Sequence, residues 1–187
     1  VADVVEFQQG AAGAGEGRQR RAEVVGHGAE EGAAEALGLG LVPETRMADG
    51  PYGPGSAQRF LEEDFDFDHR PLFQPGLNES LWPFAVFDII TNNADRKLGH
   101  LLSETGNGRL WAIDNGLSFH QEFKLRTVVW DFGGEPIPDD VLDDIAAFLD
   151  ADLPSSLADL LDPFERDALR IRGRALLQHG CFPVDAS

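Results

Sequence analysis

Lysine is nearly missing from this sequence: 187 residues contain two, Lys97 and Lys124, and with 33 acids the formal net charge is -18. Cysteine is rarer still. The single Cys181 excludes an intramolecular disulfide and a thiolate zinc cluster, and points to a reducing, cytoplasmic setting. No apolar run has the length that crosses a bilayer, and no basic stretch followed by an apolar one opens the chain. Neither integral membrane association nor a secretory leader is therefore expected. The acidic balance repels the phosphate backbone of nucleic acid and the surface of an anionic membrane. An enzyme that handles phosphate from this background must gather positive charge locally or use metal ions. What remains is an ordinary folded composition, 42% hydrophobic and 26% charged, long enough for one domain with its own core.

Residues 1–32 differ from the rest. After a strand-like opening from Val1 to Phe7, the run Gly10-Ala11-Ala12-Gly13-Ala14-Gly15-Glu16-Gly17 leads into Arg18-Gln19-Arg20-Arg21. Without an apolar period this reads as a low-complexity or non-native N-terminal segment, in preference to a phosphate-cradling glycine loop. Order is expected from residue 33 to 187. Ala33 to Leu41 reads as the end of a helix closed by Gly38 and Gly40, and Leu41–Met47 and Ser56–Leu61 as a hairpin. Glu62–Asp68 is expected as an exposed loop. The apolar run Leu81–Ile90 has helical length, with Asn78 or Ser80 as cap and Pro83 in the first turn. Leu101–Leu102 and Arg109–Ile113 read as short strands, residues 120–137 as irregular. The tail is helical over about Pro138–Leu149, Pro154–Leu161 and Pro163–Gln178, closed by Gly180.

The chemistry lies between Asn92 and Asn115. A helix delivers a polar loop with Asp95, Arg96, Lys97 and His100, and a tight hairpin returns Asp114 at a strand end. Two acids and an imidazole on adjacent loops suit phosphoryl transfer. That reaction needs a carboxylate facing the attacking hydroxyl, oxygen ligands for magnesium, and positive groups for the transferred charge. The bland alternatives are loop acids in an acidic protein, a loop-capping His100 and a solvated Lys97. Leu81, Phe84, Phe87, Ile90, Trp111, Phe119 and Trp130 read as core. His27, His69, His120 and His179 share no ligand spacing, and the acids of Asp139–Asp152 read as a solvated helix face.

These segments resemble a known family. Asn93-Ala94-Asp95-Arg96-Lys97-Leu98-Gly99-His100 is similar to the catalytic loop of the phosphatidylinositol 3- and 4-kinase-like superfamily, which the HipA-type kinases share. Trp111-Ala112-Ile113-Asp114-Asn115-Gly116-Leu117-Ser118-Phe119 resembles the metal-binding segment of type II phosphatidylinositol 4-kinases. Gly55 to Glu62 is similar to the strand that joins the two lobes there, where adenine lies. Lys124–Trp130 and Gly134–Pro138 look like an uncharacterised bacterial branch. The resemblance implies an α+β, protein-kinase-like C-lobe, mostly helical with short β-hairpins, its N-lobe reduced or missing, and a connecting strand at about 56–62. It implies Asp95 as the catalytic-loop aspartate with Arg96 and Lys97 beside it, and Asp114 as a metal ligand. His100 stands where relatives place a metal-binding asparagine. Gln58, Phe60, Leu61 and Glu62 would flank the nucleotide, with ATP and Mg2+ as cofactors and an unidentified hydroxyl acceptor. Asp131-Phe132-Gly133 spells another kinase metal motif, but Asp114 already fills the hairpin position.

The strand lysine that reaches the ATP phosphates in this superfamily has no counterpart, because no lysine precedes Lys97. Arginine is a poor substitute for a compact ammonium there. The expectation is an ATP- and magnesium-dependent kinase-like phosphotransferase acting on an unidentified hydroxyl acceptor, with truncation and loss of activity left open by the missing lysine. The alternative is a non-catalytic pseudokinase, a nucleotide-binding or interaction module.

Overall fold

A computed structural model describes residues 5–8, 29–50, 53–73, 79–128 and 132–184. Among these the architecture is α+β, with two small antiparallel sheets beside a helical body. Strand β1 (Val5–Gln8), β2 (Thr45–Gly50) and β3 (Gly53–Arg59) form the first sheet in the order β1-β3-β2. Helix α1, residues 29–36, lies between β1 and β2 in the chain. It is already under way before residue 33, inside the stretch that composition set apart. Its end follows from glycine: the Gly38 N–H donates to the Glu35 carbonyl and the Leu39 N–H to the Ala34 carbonyl, with Gly38 left-handed at φ +69°.

The β2–β3 hairpin is present but displaced along the chain. Its register runs from Thr45↔Gln58 to Gly50↔Gly53, so β2 begins later than Leu41 and β3 earlier than Ser56. Leu41 is taken by another partner, since its carbonyl accepts the Ala112 N–H, and Pro43 has no N–H for a ladder. After β3 the chain runs through residues 60–69, where an isolated bridge joins Glu63 to Glu104.

Helix α2 (Trp82–Thr91) carries an apolar run and is buried from Phe84 to Thr91. Pro83 sits in its first turn as expected, but Leu81 occupies the cap position without a side-chain bond, and Ser80 belongs to a preceding 3-10 turn. Asn78 lies outside the described residues. Strands β4 (Leu101–Ser103) and β5 (Leu110–Ala112) form the second sheet, in the register Leu101↔Ala112 to Ser103↔Leu110.

Helices α3 (Asp139–Asp150), α4 (Ser155–Ala158) and α5 (Pro163–His179) complete the body. Helix α4 is shorter than the apolar pattern suggested. Asp162 caps α5 by accepting from the Phe164 and Glu165 N–H groups, while Glu165 accepts from the Asp162 N–H, and Gly180 ends the helix at φ +63°. Leu169, Gly173 and Leu176 face inward, and α5 packs against α3 and α2.

One core unites Leu37, Leu81, Phe84, Phe87, Ile90, Phe119, Phe132, Ile145, Leu157 and Leu169. Trp111 belongs to a smaller cluster with Leu61 and Leu102. Arg172 fastens α5 to the end of α2: its Nε donates to the Ile90 carbonyl at 2.7 Å, and burial lowers its pKa to about 10. The loop that leaves α2 therefore starts from a fixed point.

Candidate active site

The loop after α2 is organised by a carboxylate that sequence reasoning passed over. Asp88 lies in the middle of α2 and is fully buried, as is the Arg96 side chain that faces it. Asp88 accepts from Arg96 Nη2 at 2.9 Å and Nε at 3.1 Å, from Asn93 Nδ2 at 3.1 Å and from Thr127 Oγ1 at 2.8 Å. Arg96 also donates from Nη1 to the Ile113 carbonyl at 3.0 Å, and from Nη2 to Asn115 Oδ1. One guanidinium thus ties together α2, its own loop and the chain on either side of Asp114. A charge buried this deeply is tolerable only with such a full set of partners. The available signal was an aspartate inside the apolar run Leu81–Ile90, which can be buried only if a cation comes to meet it.

Asp95 and Lys97 project from this scaffold. Lys97 Nζ donates to Asp95 Oδ2 at 2.7 Å, and the Asp95 N–H is held by Asn93 Oδ1 at 2.9 Å. The Lys97 hydrogen bond, reinforced by the charges of Lys97, His100 and Arg126, holds the Asp95 carboxyl below the usual aspartate range. Asp95 is thus an ionised acceptor at neutral pH. Its neighbourhood also gathers positive charge in an acidic protein, because the backbone of Arg126 pairs with Asn93 and Arg96.

Asp114 follows β5 with a left-handed backbone, φ +51°, which is uncommon for a side-chain-bearing residue. Its carboxylate is 54% exposed, and His100 Nε2 lies 3.3 Å from Oδ2. His100 thus contacts Asp114. Its Nδ1 is buried with no partner among the described residues.

Gln58, Phe60, Leu61 and Glu62 line a cleft of about 440 Å³, together with Arg59, Glu63, Phe65, Leu102 and Ile113. Sequence reasoning missed the last five, which come from three separate segments. Ile113, which lines the cleft, immediately precedes Asp114 in the chain. Among the described residues neither Phe60 nor Leu61 makes a backbone hydrogen bond, whereas the Glu62 carbonyl is taken by the Thr105 N–H. Arg59 is a cation in the cleft, yet it is engaged: Nη1 lies 3.2 Å from Glu104 Oε1, and the guanidinium covers Trp111 at 4.8 Å from the ring centre.

Among the described residues no three His, Cys, Asp or Glu side chains are grouped to hold a metal. Asp114 and His100 offer two donors, and magnesium is commonly held by one or two carboxylates with substrate phosphates and water. Of the remaining histidines, His69 Nε2 lies 2.7 Å from the Leu101 carbonyl and His120 contacts Lys124, so neither joins the acids. Phe132 is core, while Asp131 and Trp130 lie outside the described residues. No helix among the described residues is long and apolar enough to cross a membrane.

No family model matches the chain. Over an alignment that covers 79% of this chain, it is 35% identical to Protein Rv2133c of Mycobacterium tuberculosis (strain ATCC 25618 / H37Rv). That name specifies no reaction, and the chain spans 66% of that protein's length.

Proposed function

We propose that this chain carries the nucleotide cleft and catalytic loop of an ATP- and magnesium-dependent phosphotransferase of the phosphatidylinositol 3-/4-kinase-like superfamily, acting on a hydroxyl acceptor. The observation that carries the reading is the contact of His100 with Asp114, the residue next to Ile113, which lines the cleft with Gln58, Phe60, Leu61 and Glu62. The three-stranded sheet would be the reduced N-lobe, and residues 60–63 the connection to the helical lobe.

In this reading the base lies against Leu61, Leu102 and Ile113, with the backbone of Phe60 and Leu61 as its hydrogen-bonding edge. The phosphates extend towards Asp114. Asp95, ionised, accepts the proton of the acceptor hydroxyl and orients its oxygen for in-line attack. Lys97 exchanges its contact with Asp95 for the transferred phosphoryl group. Arg96 touches no substrate; it holds Asp95 and Asp114 at a fixed separation through Asp88, Ile113 and Asn115. Bound magnesium would supply charge neutralisation on the leaving phosphates.

A non-catalytic nucleotide-binding module is favoured by a different observation: Arg59, the cation lining the cleft, is already committed to Glu104 and Trp111. Incubation with γ-labelled ATP and Mg2+ separates the two. Phosphotransfer or phosphate release that Asp95→Asn reduces by about 10³-fold, with nucleotide binding retained, supports the enzyme. Binding without turnover in both proteins supports the module, and absence of binding rejects both.

A further inference from the structure

Helix α5 has two apolar faces. The one that carries Leu169, Gly173 and Leu176 is spent on the core. On the other, Phe164 is 68% exposed and Ile171 60%, which leaves apolar area in water that burial would favour. These residues are not scattered. Phe164, Ala168, Ile171, Ala175 and Gln178 follow one another at alternating steps of four and three, the spacing of a seam between two helices, and the seam runs the length of α5. Single exposed hydrophobics need no explanation, whereas a row with this period does.

The charges beside the seam indicate what covers it. Asp167 and Arg174 lie on one flank, both exposed, and neither makes an ion pair or a side-chain hydrogen bond among the described residues. Two turns apart on one helix, about 10 Å, they cannot reach each other. On two antiparallel copies of α5 that cross at Ile171 they meet twice, Asp167 of each against Arg174 of the other. The same crossing sets Phe164 over Ala175 and Gln178 of the second copy, a large side chain against a small one. Seam and charges share one centre, as a twofold axis requires. A foreign helix of single sign would satisfy one of the two charges and oppose the other.

We propose that α5 is a self-association surface that pairs antiparallel with α5 of a second copy, about a twofold axis at Ile171. The proposal is independent of the phosphotransferase reading. The contact is one helix wide, so the dimer is weak and forms as concentration rises.

Sedimentation velocity of the full chain over a range of concentrations tests this. The mean mass should climb from one chain towards two. Arg174→Asp, at an exposed position without a partner in the fold, should weaken association about tenfold, because the reversal acts twice across the axis. Asp167→Arg combined with Arg174→Asp exchanges both charges and should restore association, a result that a folding defect could not give. A monomer at every concentration would overturn the proposal. Slow alkylation of Ile171→Cys in that monomer would then place another segment of the chain on the seam, and fast alkylation would leave it bare. Association unchanged by Arg174→Asp, or not restored by the double exchange, would overturn it as well.

Discussion

Replacing Asp88 by alanine should unfold the site from beneath. The substitution leaves the Arg96 guanidinium buried, with its Nε contact gone and only carbonyl and amide partners on Nη1 and Nη2. It also strands Asn93 Nδ2 and removes a partner of Thr127. Breaking one side of a buried pair costs about 3–5 kcal/mol, against a total stability of about 5–15 kcal/mol for a domain. With a urea dependence of about 2–3 kcal/mol per M for a chain of this size, the unfolding midpoint should fall by roughly 1–2 M. Removing both charges together, Asp88→Leu with Arg96→Met, should restore much of that loss, because no uncompensated charge is then left in the core. The double variant should nevertheless fail to bind nucleotide with metal, since nothing would tie Asp95 to Asp114. The reasoning is refuted if Asp88→Ala lowers the midpoint by less than about 0.3 M, or if the double variant binds nucleotide normally.

Glu31 gives a pH-dependent test. Burial, with the nearby charges of Glu44 and Glu35, raises its carboxyl above the ordinary value, although the Thr45 N–H bond pulls the other way. The unfolded chain therefore loses this proton first. Its contribution is fully present below the ordinary glutamate range and lost as pH rises through the raised folded value. Glu31→Gln should flatten that decline in urea midpoint, and an unchanged profile would contradict the assignment. Gly32 tests whether α1 packs as described: a Cβ there would stand 3.2 Å from Leu157 Cβ and 3.3 Å from Ser156 Oγ. Gly32→Val should lower stability by about 1–3 kcal/mol through overpacking, measured by urea unfolding. A neutral result would separate α1 from α4.

Local chemistry was the most legible part of the sequence. Pro83, Gly38 and Gly180 each mark a helix end by the backbone geometry they favour, so neighbours in sequence suffice to read them. The apolar run Leu81–Ile90 and the hairpin from Leu101 to Ile113 were legible for the same reason. Partnerships at a distance were not. Leu41 spends its carbonyl on Ala112, which moves the start of β2, and no pattern near Leu41 announces that. Asp88 is an ordinary helical aspartate until Arg96 folds back on it. The cleft draws on residues 58–65, Leu102 and Ile113, three segments that only the tertiary fold assembles. Asp95, His100 and Asp114 could be nominated from motif order, but the buried Arg96 that anchors their loops to Asp88, Ile113 and Asn115 could not.

The central claim is that Asp114 holds a metal-bound nucleotide beside Asp95, and a thermal-shift titration of wild type and Asp114→Asn with Mg2+–ATP tests it most directly. A ligand at 100 times its Kd stabilises the native state by about 2.7 kcal/mol, or roughly 5–10 °C for a domain of this size. The account predicts a shift of that order in the wild type, lost on chelation of the metal, and little or none in Asp114→Asn. Equal shifts in the two proteins, or none in either, would contradict it.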